Sequence, residues 1–545
     1  MNEVSKAILG IAALGFIGAA AYPAAQSAVP APTVQVRQQA YLKASNPETH
    51  DHFGCGGAFD GHAGWGTAIS GDGNTLVVGA PHEASTSTGI NGNQANNDAH
   101  GAGAAYVFVR RGNAWTQQAY LKPSNTRASA EFGHAVAISG DGNTIAVSAF
   151  WENSNATGIN GNQSDTSVPN AGAVYIFTRR GTTWTQQAYV KASNTGEGPS
   201  EEFPFGDGDQ FGVSLALSDD GNTLAVGALT EDSSGINDNQ LDNSSESAGA
   251  VYVYNRTGNN WAQTAFIKPS NPDGAGPGRG GAFGDMFGYS VSLSADGRTL
   301  AVGAFDEDGS STVVNGPPDN RKNAAGAVYV FVKPAPANLW MQEAYIHGTN
   351  VEAGDQFGVA VSLSDDGNTL LIGSLDEDCL ATGVNPSEPC NTDQPADIST
   401  GAAYVFVRAN GTWAQQAFIK PHNTGENDWF GARLVLSGDG NTAAIPAALE
   451  DGPNNDAPES GAVYLFTRSG TTWTQAAYIK GDNTEAYDQF GGSIGISRDG
   501  RTLVATALGE DSSARGVNGD ARNNTADEAG AAYVFTIGTP ATSTR

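Results

Sequence analysis

One unit recurs seven times along this chain, and any fold must accommodate it. The stretch DDGNTLAVGALTEDSSGIN at 219–237 combines a tight acidic turn, a short apolar strand and an acidic pair. It returns as ADGRTLAVGAFDEDGS (295–310), DDGNTLLIGSLDEDC (365–379) and RDGRTLVATALGEDSS (498–513). Anchored on the Asp-Gly turn, the repeat falls at Asp72, Asp141, Asp220, Asp296, Asp366, Asp439 and Asp499, with spacings of 69, 79, 76, 70, 73 and 60 residues. A non-repetitive chain of 545 residues would divide into several domains. Repeats of this period share one architecture instead, because each unit buries its apolar faces against its neighbours.

Each unit opens with a strand such as FGVSLALS (211–218), turns at DGNT or DGRT, and returns as TLAVGA (223–228). Asp-Gly between two apolar runs predicts a hairpin with a type I′ turn, in which both central residues take positive φ. A long polar loop leads to a third strand, GAAYVF (103–108) in the first unit and GAVYIF (172–177) in the second, and a short turn leads to a fourth, such as WTQQAYVK (184–191). The third strand is apolar on both faces, as a strand sandwiched between sheets must be. Six units have the fourth strand, introduced by Trp115, Trp184, Trp261, Trp340, Trp413 and Trp473. The seventh lacks it, while an orphan copy, QQAYLKASN (38–46), precedes the first complete unit. A ring solves both anomalies, since closure leaves no free sheet edge. The predicted fold is an all-β, seven-bladed β-propeller of four-stranded antiparallel blades, closed by the N-terminal strand. Its 71 glycines and 39% apolar content suit a loop-rich β protein with an ample core.

On these residues the chain resembles the FG-GAP repeat family, which builds the propeller of integrin α-subunits, and most closely its bacterial secreted versions. The Phe-Gly half stands at 132–133, 211–212, 287–288, 357–358, 430–431 and 490–491, and Gly79-Ala80-Pro81 carries the complete second half. In the first unit Ala63-Gly64 occupies the expected Phe-Gly position, with Phe53-Gly54 displaced ten residues upstream. The resemblance implies a propeller over residues 38–537. It does not bring the integrin calcium loops with it, because the hairpin here is a short turn such as SDDGNT or SGDGNT, too short to encircle a cation.

In a four-stranded meander, the loop after strand two and the connection to the next blade lie at one end. The long acidic segments therefore gather on one face, the candidate binding face. A hairpin centred on Asp220-Gly221 sets Asp209 opposite Asp232; the same register pairs Asp285 with Asp308, Asp355 with Asp378, Asp428 with Asp451, and Asp488 with Asp511. A turn longer by one residue exchanges the partner for Glu231, Glu307, Glu377, Glu450 or Glu510. Opposed carboxylates repel, and Ca²⁺ would relieve the repulsion, with loop groups such as Asn237 completing its oxygen shell. The alternative is that each Asp caps backbone N–H groups of its own loop. A different metal site, from His62, His82 and Asp60, stands beside these in the first unit. Trp151 and Trp429 lie near the acidic face, where they either stack on a sugar or partner side chain or pack at the rim.

The N-terminus has Lys6, an apolar stretch from Ala7 to Ala21, and small residues near Ala21 and Ser27. This reads as a signal peptide over 1–27, with a linker over 28–37 and a tail over 538–545. Export, to the periplasm, cell surface or medium, would allow a Cys379–Cys390 bridge and leave Cys55 free. A net charge of −30 argues against nucleic acid as a partner, and no second membrane segment follows. No His recurs with a Ser or Cys nucleophile in a recognisable setting. The expectation is a non-catalytic, integrin-like binding or adhesion module for an extracellular protein or glycan. The alternative is a lectin-like or carbohydrate-processing propeller using the same face.

Overall fold

The computed structural model describes residues 33–55, 65–196, 208–235, 240–274, 284–350, 352–387, 390 and 398–538. The proposed signal peptide lies outside them, as do Asp60, His62, Ala63-Gly64 and Asn237.

The alternation of apolar runs with Asp-Gly turns produces seven four-stranded antiparallel sheets in a ring, and no helix is present among the described residues. Each sheet runs in chain order from the axis outward, except the last. There the strand Gln35–Leu42 takes the outer position beside Ala531–Gly538, followed inward by Thr502–Ala507 and Phe490–Ile496. The register of that closing pair places Tyr41 opposite Tyr533 and Leu42 opposite Ala532. Gln39 extends the closure to the next blade. Its Oε1 accepts from Trp115 Nε1 at 3.0 Å, as Gln118 accepts from Trp184 at 2.9 Å and Gln187 from Trp261 at 2.9 Å at ordinary blade junctions.

The hairpin between strands one and two departs from the type I′ expectation. Only its glycine has positive φ, 67° at Gly73 and 64° at Gly221. The turn is a four-residue loop in which Gly73 N–H donates to Ser70 O at 2.8 Å and Ser70 N–H to Thr75 O at 2.8 Å. The aspartate is there for its carboxylate rather than for its backbone. Asp72 Oδ1 accepts from Asn74 N–H at 2.9 Å and from the Ser70 hydroxyl at 2.5 Å, so a short polar side chain caps the turn.

The first unit's irregular entry also resolves. Phe53 is fully buried and its ring meets Tyr106 at 5.4 Å, matching Phe132 with Tyr175 at 5.5 Å and Phe490 with Tyr533 at 5.4 Å. Gly530 would drive a Cβ to 2.3 Å from Phe53 O, as Gly103 would to 2.1 Å from Phe132 O. Phe53-Gly54 is therefore the Phe-Gly pair of blade one, and the extra residues are an insertion after it.

At the hairpin end of the axis, the seven strand-one termini join in a closed circle of backbone hydrogen bonds. Gly71 donates to Gly140, Gly140 to Asp219, Asp219 to Ala295, Ala295 to Asp365, Asp365 to Gly438, Gly438 to Arg498, and Arg498 back to Gly71, all at 2.8–3.1 Å. Arg498 also reaches across this circle, pairing with Asp365 at 2.6 Å and with Asp219. Deeper in, Arg433 of blade six lies 4.9 Å above the Trp65 ring of blade one. Blade seven separates those two blades along the ring, so this contact links blades that are not neighbours.

Deleting the segment through residue 46 removes the outer strand of blade seven, Gln39 and Lys43. We expect aggregation or a large loss of thermal stability, checked by melting and light scattering; a truncated protein that melts like the intact one contradicts the closure.

Candidate functional site on the loop face

Eleven residues after each turn aspartate stands a glutamate: Glu83, Glu152, Glu231, Glu307, Glu377, Glu450 and Glu510. All seven are buried. The end of strand two delivers each carboxylate beneath the loop face. In five blades a lysine from strand four of the same sheet meets it: Lys122 at 2.9 Å, Lys191 at 3.0 Å, Lys268 at 2.9 Å, Lys480 at 2.9 Å and, in blade seven, Lys43 at 2.7 Å. Burial pulls the pKa of Lys122, Lys191 and Lys43 down while the facing glutamate pulls it up.

An asparagine three residues beyond each lysine position then crosses to the next blade. Asn46 Nδ2 donates to Glu83 at 3.0 Å, Asn125 to Glu152 at 3.1 Å, Asn423 to Glu450 at 3.1 Å and Asn483 to Glu510 at 3.1 Å. Its carbonyl oxygen accepts from the strand-three tyrosine of the blade it enters, as in Tyr106 to Asn46 at 2.7 Å and Tyr464 to Asn423 at 2.8 Å. In these blades the glutamate thus holds its own outer strand and the arriving chain together. Removing one member would leave an uncompensated buried charge, a cost of about 3–5 kcal/mol.

Two blades vary the theme. In blade four His347 lies 3.6 Å from Glu307; burial holds the imidazole down at about 4 and lifts the carboxyl to about 7, so around pH 5–6 both groups are neutral and the contact is not an ion pair. In blade five Glu377 accepts from Asn350 at 2.8 Å and Tyr404 at 2.8 Å. There Lys420 bonds Thr400 Oγ1 at 2.7 Å and Gly401 O, and burial presses its pKa down to about 8.

The register carries the paired aspartates past one another. Leu215 pairs with Val226 as the hairpin centre requires, but a bulge after Phe-Gly shifts Phe211 to Ala228. At the mouths, Asp355 O accepts from Asp376 N–H, Asp428 O from Leu449 N–H and Asp488 O from Gly509 N–H. Those residues, rather than Asp378, Asp451 and Asp511, stand opposite. The predicted cross-strand pairing of Asp209/Asp232, Asp285/Asp308, Asp355/Asp378, Asp428/Asp451 and Asp488/Asp511 is corrected by two residues, the width of the bulge.

Both members of these pairs cap loops. Asp285, Asp355, Asp428 and Asp488 each accept from the backbone of the arriving segment, at 2.9, 2.6, 2.8 and 2.7 Å. Asp51 does the same for blade one at 2.9 Å, and Asp209 is buried at the matching position. Asp232, Asp308, Asp378, Asp451 and Asp511 accept from Ser247, Ala324, Ser399, Glu459 and Glu528 N–H at 2.7–3.0 Å. Among the described residues, none of the ten aspartates belongs to a group of three His, Cys, Asp or Glu ligand atoms within 4.8 Å of one another. A small cavity in blade five is lined by Asn350, Glu352, Asp355, Glu377, Asp378 and the Cys379–Cys390 disulfide. Cys55 is buried. His82 is half-buried, 3.7 Å from Glu131, and Trp151 and Trp429 are half-buried.

The glutamate clasp was legible in the sequence at its fixed distance from the turn. The neighbouring aspartate varies, being Ala84 and Asn153 in the first two units, whereas the glutamate does not.

Stability should fall as pH rises. Burial, first, pushes Asp51 up to about 8 and Asp428 and Asp488 up to about 7, against about 3.9 in an unfolded chain. A folded-state pKa above the unfolded one gives stabilisation that is full below about pH 4 and lost as pH passes 7–8. His347 acts oppositely only below about pH 6.5, and Lys420 only above about 8. Between pH 6.5 and 8 the melting temperature should drop by a few degrees, and Asp488→Asn should shrink the drop; a flat profile contradicts these assignments.

Four segments, 115–177, 279–331, 340–406 and 413–466, match the FG-GAP repeat family. No curated protein matches the chain in sequence. Among solved structures, a protein from Bacteroides fragilis NCTC 9343 named as a 6-phosphogluconolactonase is similar with a TM-score of 0.41 and 11% identity, over 76% of this chain and 84% of that one. One of the same name from Bacteroides uniformis ATCC 8492 has a TM-score of 0.41 and 12% identity, over 75% and 85%. With the repeat matched in four segments and seven four-stranded sheets closed in a ring, the chain is a β-propeller that carries the FG-GAP repeat.

Proposed function

We propose that the protein is a non-catalytic binding module that engages an extracellular protein or glycan through its loop face, in the manner of an adhesion propeller. The observation that carries this reading is where large apolar side chains meet solvent. Leu241, Val313, Leu380 and Tyr487 are 84%, 62%, 36% and 59% exposed. All four stand on loops of that face, in a run of adjacent blades. Two others, Leu339 and Met341, flank one turn at the opposite end. Apolar groups rimmed by acidic loops are the composition of a recognition surface, with anchors inside a polar border.

Calcium dependence is the finer part of the proposal. It is supported by the excess of carboxylates near the clasps: Glu510 and Asp511 help to raise the Asp488 pKa, and Glu450 and Asp451 that of Asp428. A cation near these groups would take the place of the proton they otherwise retain. Export through the N-terminal segment completes the proposal and suits the Cys379–Cys390 bridge.

Protein and glycan arrays probed with the protein, alongside Leu241→Ser and Tyr487→Ser, test this reading. A ligand whose binding falls about tenfold or more in the variants supports it, and a ligand held equally by both variants refutes the face. At pH 8 chelation should lower the melting temperature and calcium should restore it. Chelated and calcium-loaded protein that melt together, with no metal on elemental analysis, refute the calcium part alone.

A further inference from the structure

The junction where the ring closes differs chemically from the other six. The chain leaving the closing strand enters blade one through His50 and His52, which flank Asp51, and runs beside the blade-seven loop carrying Asp527 and Glu528. Backbone bonds from His50 N–H to Asp527 O at 2.8 Å and from His52 N–H to Glu528 O at 3.3 Å fix this approach. The same backbone pattern joins Tyr487 and Gln489 to Pro458 and Glu459 between blades six and seven, so the approach is general. The side chains are not. Where Gln489 donates to Glu459 at 3.2 Å, blade one brings two imidazoles onto one carboxylate oxygen. His50 Nδ1 lies 2.9 Å and His52 Nε2 3.1 Å from Glu528 Oε2.

We propose that His50, His52 and Glu528 form a binding site for a borderline divalent transition-metal ion, for which Zn²⁺ fits best, and that the bound ion staples the first blade to the seventh. The three ligand atoms lie within 4.8 Å of one another. Around a tetrahedral zinc with ligand bonds of ~2.0–2.1 Å, ligands stand roughly 3.3 Å apart. The two nitrogen-to-oxygen separations therefore need widening by only a few tenths of an ångström. Imidazole selects zinc, copper or nickel over calcium or magnesium, which take oxygen shells. Both histidines have positive φ, 62° and 53°, as do Tyr487 and Gln489 at the matching positions of blade seven, at 69° and 53°, so the backbone is that of the repeat and only the side chains differ. The outward nitrogen of His50, Nε2, lies 3.9 Å from Asp527 Oδ2, where a carboxylate can orient a ligating imidazole. His52 is flanked by the His82 ring at 4.4 Å. His50 is 57% and Glu528 35% exposed in their side chains, which leaves an entry path and a fourth position open to water or a partner's ligand.

The repeats themselves supply fold-safe variants. Glutamine stands at the position of His52 in three other blades, as Gln210, Gln356 and Gln489; serine stands at that of His50, as Ser129, and at that of Glu528, as Ser247 and Ser399. Titration of the metal-free protein with ZnCl₂, read by calorimetry and by melting, should show one saturable site whose occupancy raises the melting temperature. The site should weaken in acid, where protons compete with the metal for the imidazole nitrogens. His52→Gln and the pair His50→Ser with Glu528→Ser should each melt like the metal-free parent and lose at least a hundredfold in zinc affinity, while His100→Ala should keep it. Unchanged affinity in the His52→Gln protein, or no saturable zinc in the parent, overturns the proposal. A calcium response that persists in these variants leaves the loop-face reading untouched and shows the two sites to be separate.

Discussion

A buried carboxylate in each blade, tied to the chain arriving from the previous blade and in six of the seven to its own outer strand, is the interaction on which the rest of this propeller depends. A charge beneath the surface is costly unless its partners are in place. Glu83 satisfies that demand with Lys122, Tyr120 and Asn46, and Glu450 with Lys480, Tyr478 and Asn423. Because the asparagine comes from another blade, the carboxylate is fully paired only when neighbouring blades are docked. Polar satisfaction and blade angle are thereby coupled, whereas apolar packing alone tolerates sliding.

The coupling also explains why the first strand belongs to the last blade. Lys43 and Tyr41 pair with Glu510 of blade seven, and Asn46, three residues on, pairs with Glu83 of blade one. One short segment performs the two halves of a junction that elsewhere link consecutive stretches of chain. The circle of backbone bonds at the hairpin end and the Trp115–Gln39 bond at the rim repeat that closure at two other radii. The loop face is consequently carried on a rigid frame, and its long segments can vary without disturbing the clasps beneath them.

Much of this was legible in the residues, for reasons that differ by element. Seven copies of Asp-Gly and GAAYVF, with the orphan QQAYLKASN, determine blade count and closure, because no other arrangement leaves every edge paired. The turn type is not legible from Asp-Gly alone, because the pair also serves a four-residue loop in which aspartate is a cap. The register at the hairpin mouths is offset because a bulge after Phe-Gly shifts the partners beyond it by two, and glycine at a bulge looks in sequence like glycine anywhere else. Phe53-Gly54 was displaced by counting back from the turn, which an insertion defeats; counting forward from Asn46 would have placed it. The convergence of His50, His52 and Glu528 joins residues 476 or more positions apart, and nothing local signals it.

The N-terminal strand is an integral outer strand of blade seven. Amide hydrogen exchange across Gln35–Leu42 in the intact protein tests it most directly, with the outer strand Thr412–Ile419 of blade five as internal reference. Protection in Gln35–Leu42 is expected to be comparable to that of the reference strand. Exchange at the rate of unstructured chain, with the reference protected, would contradict it.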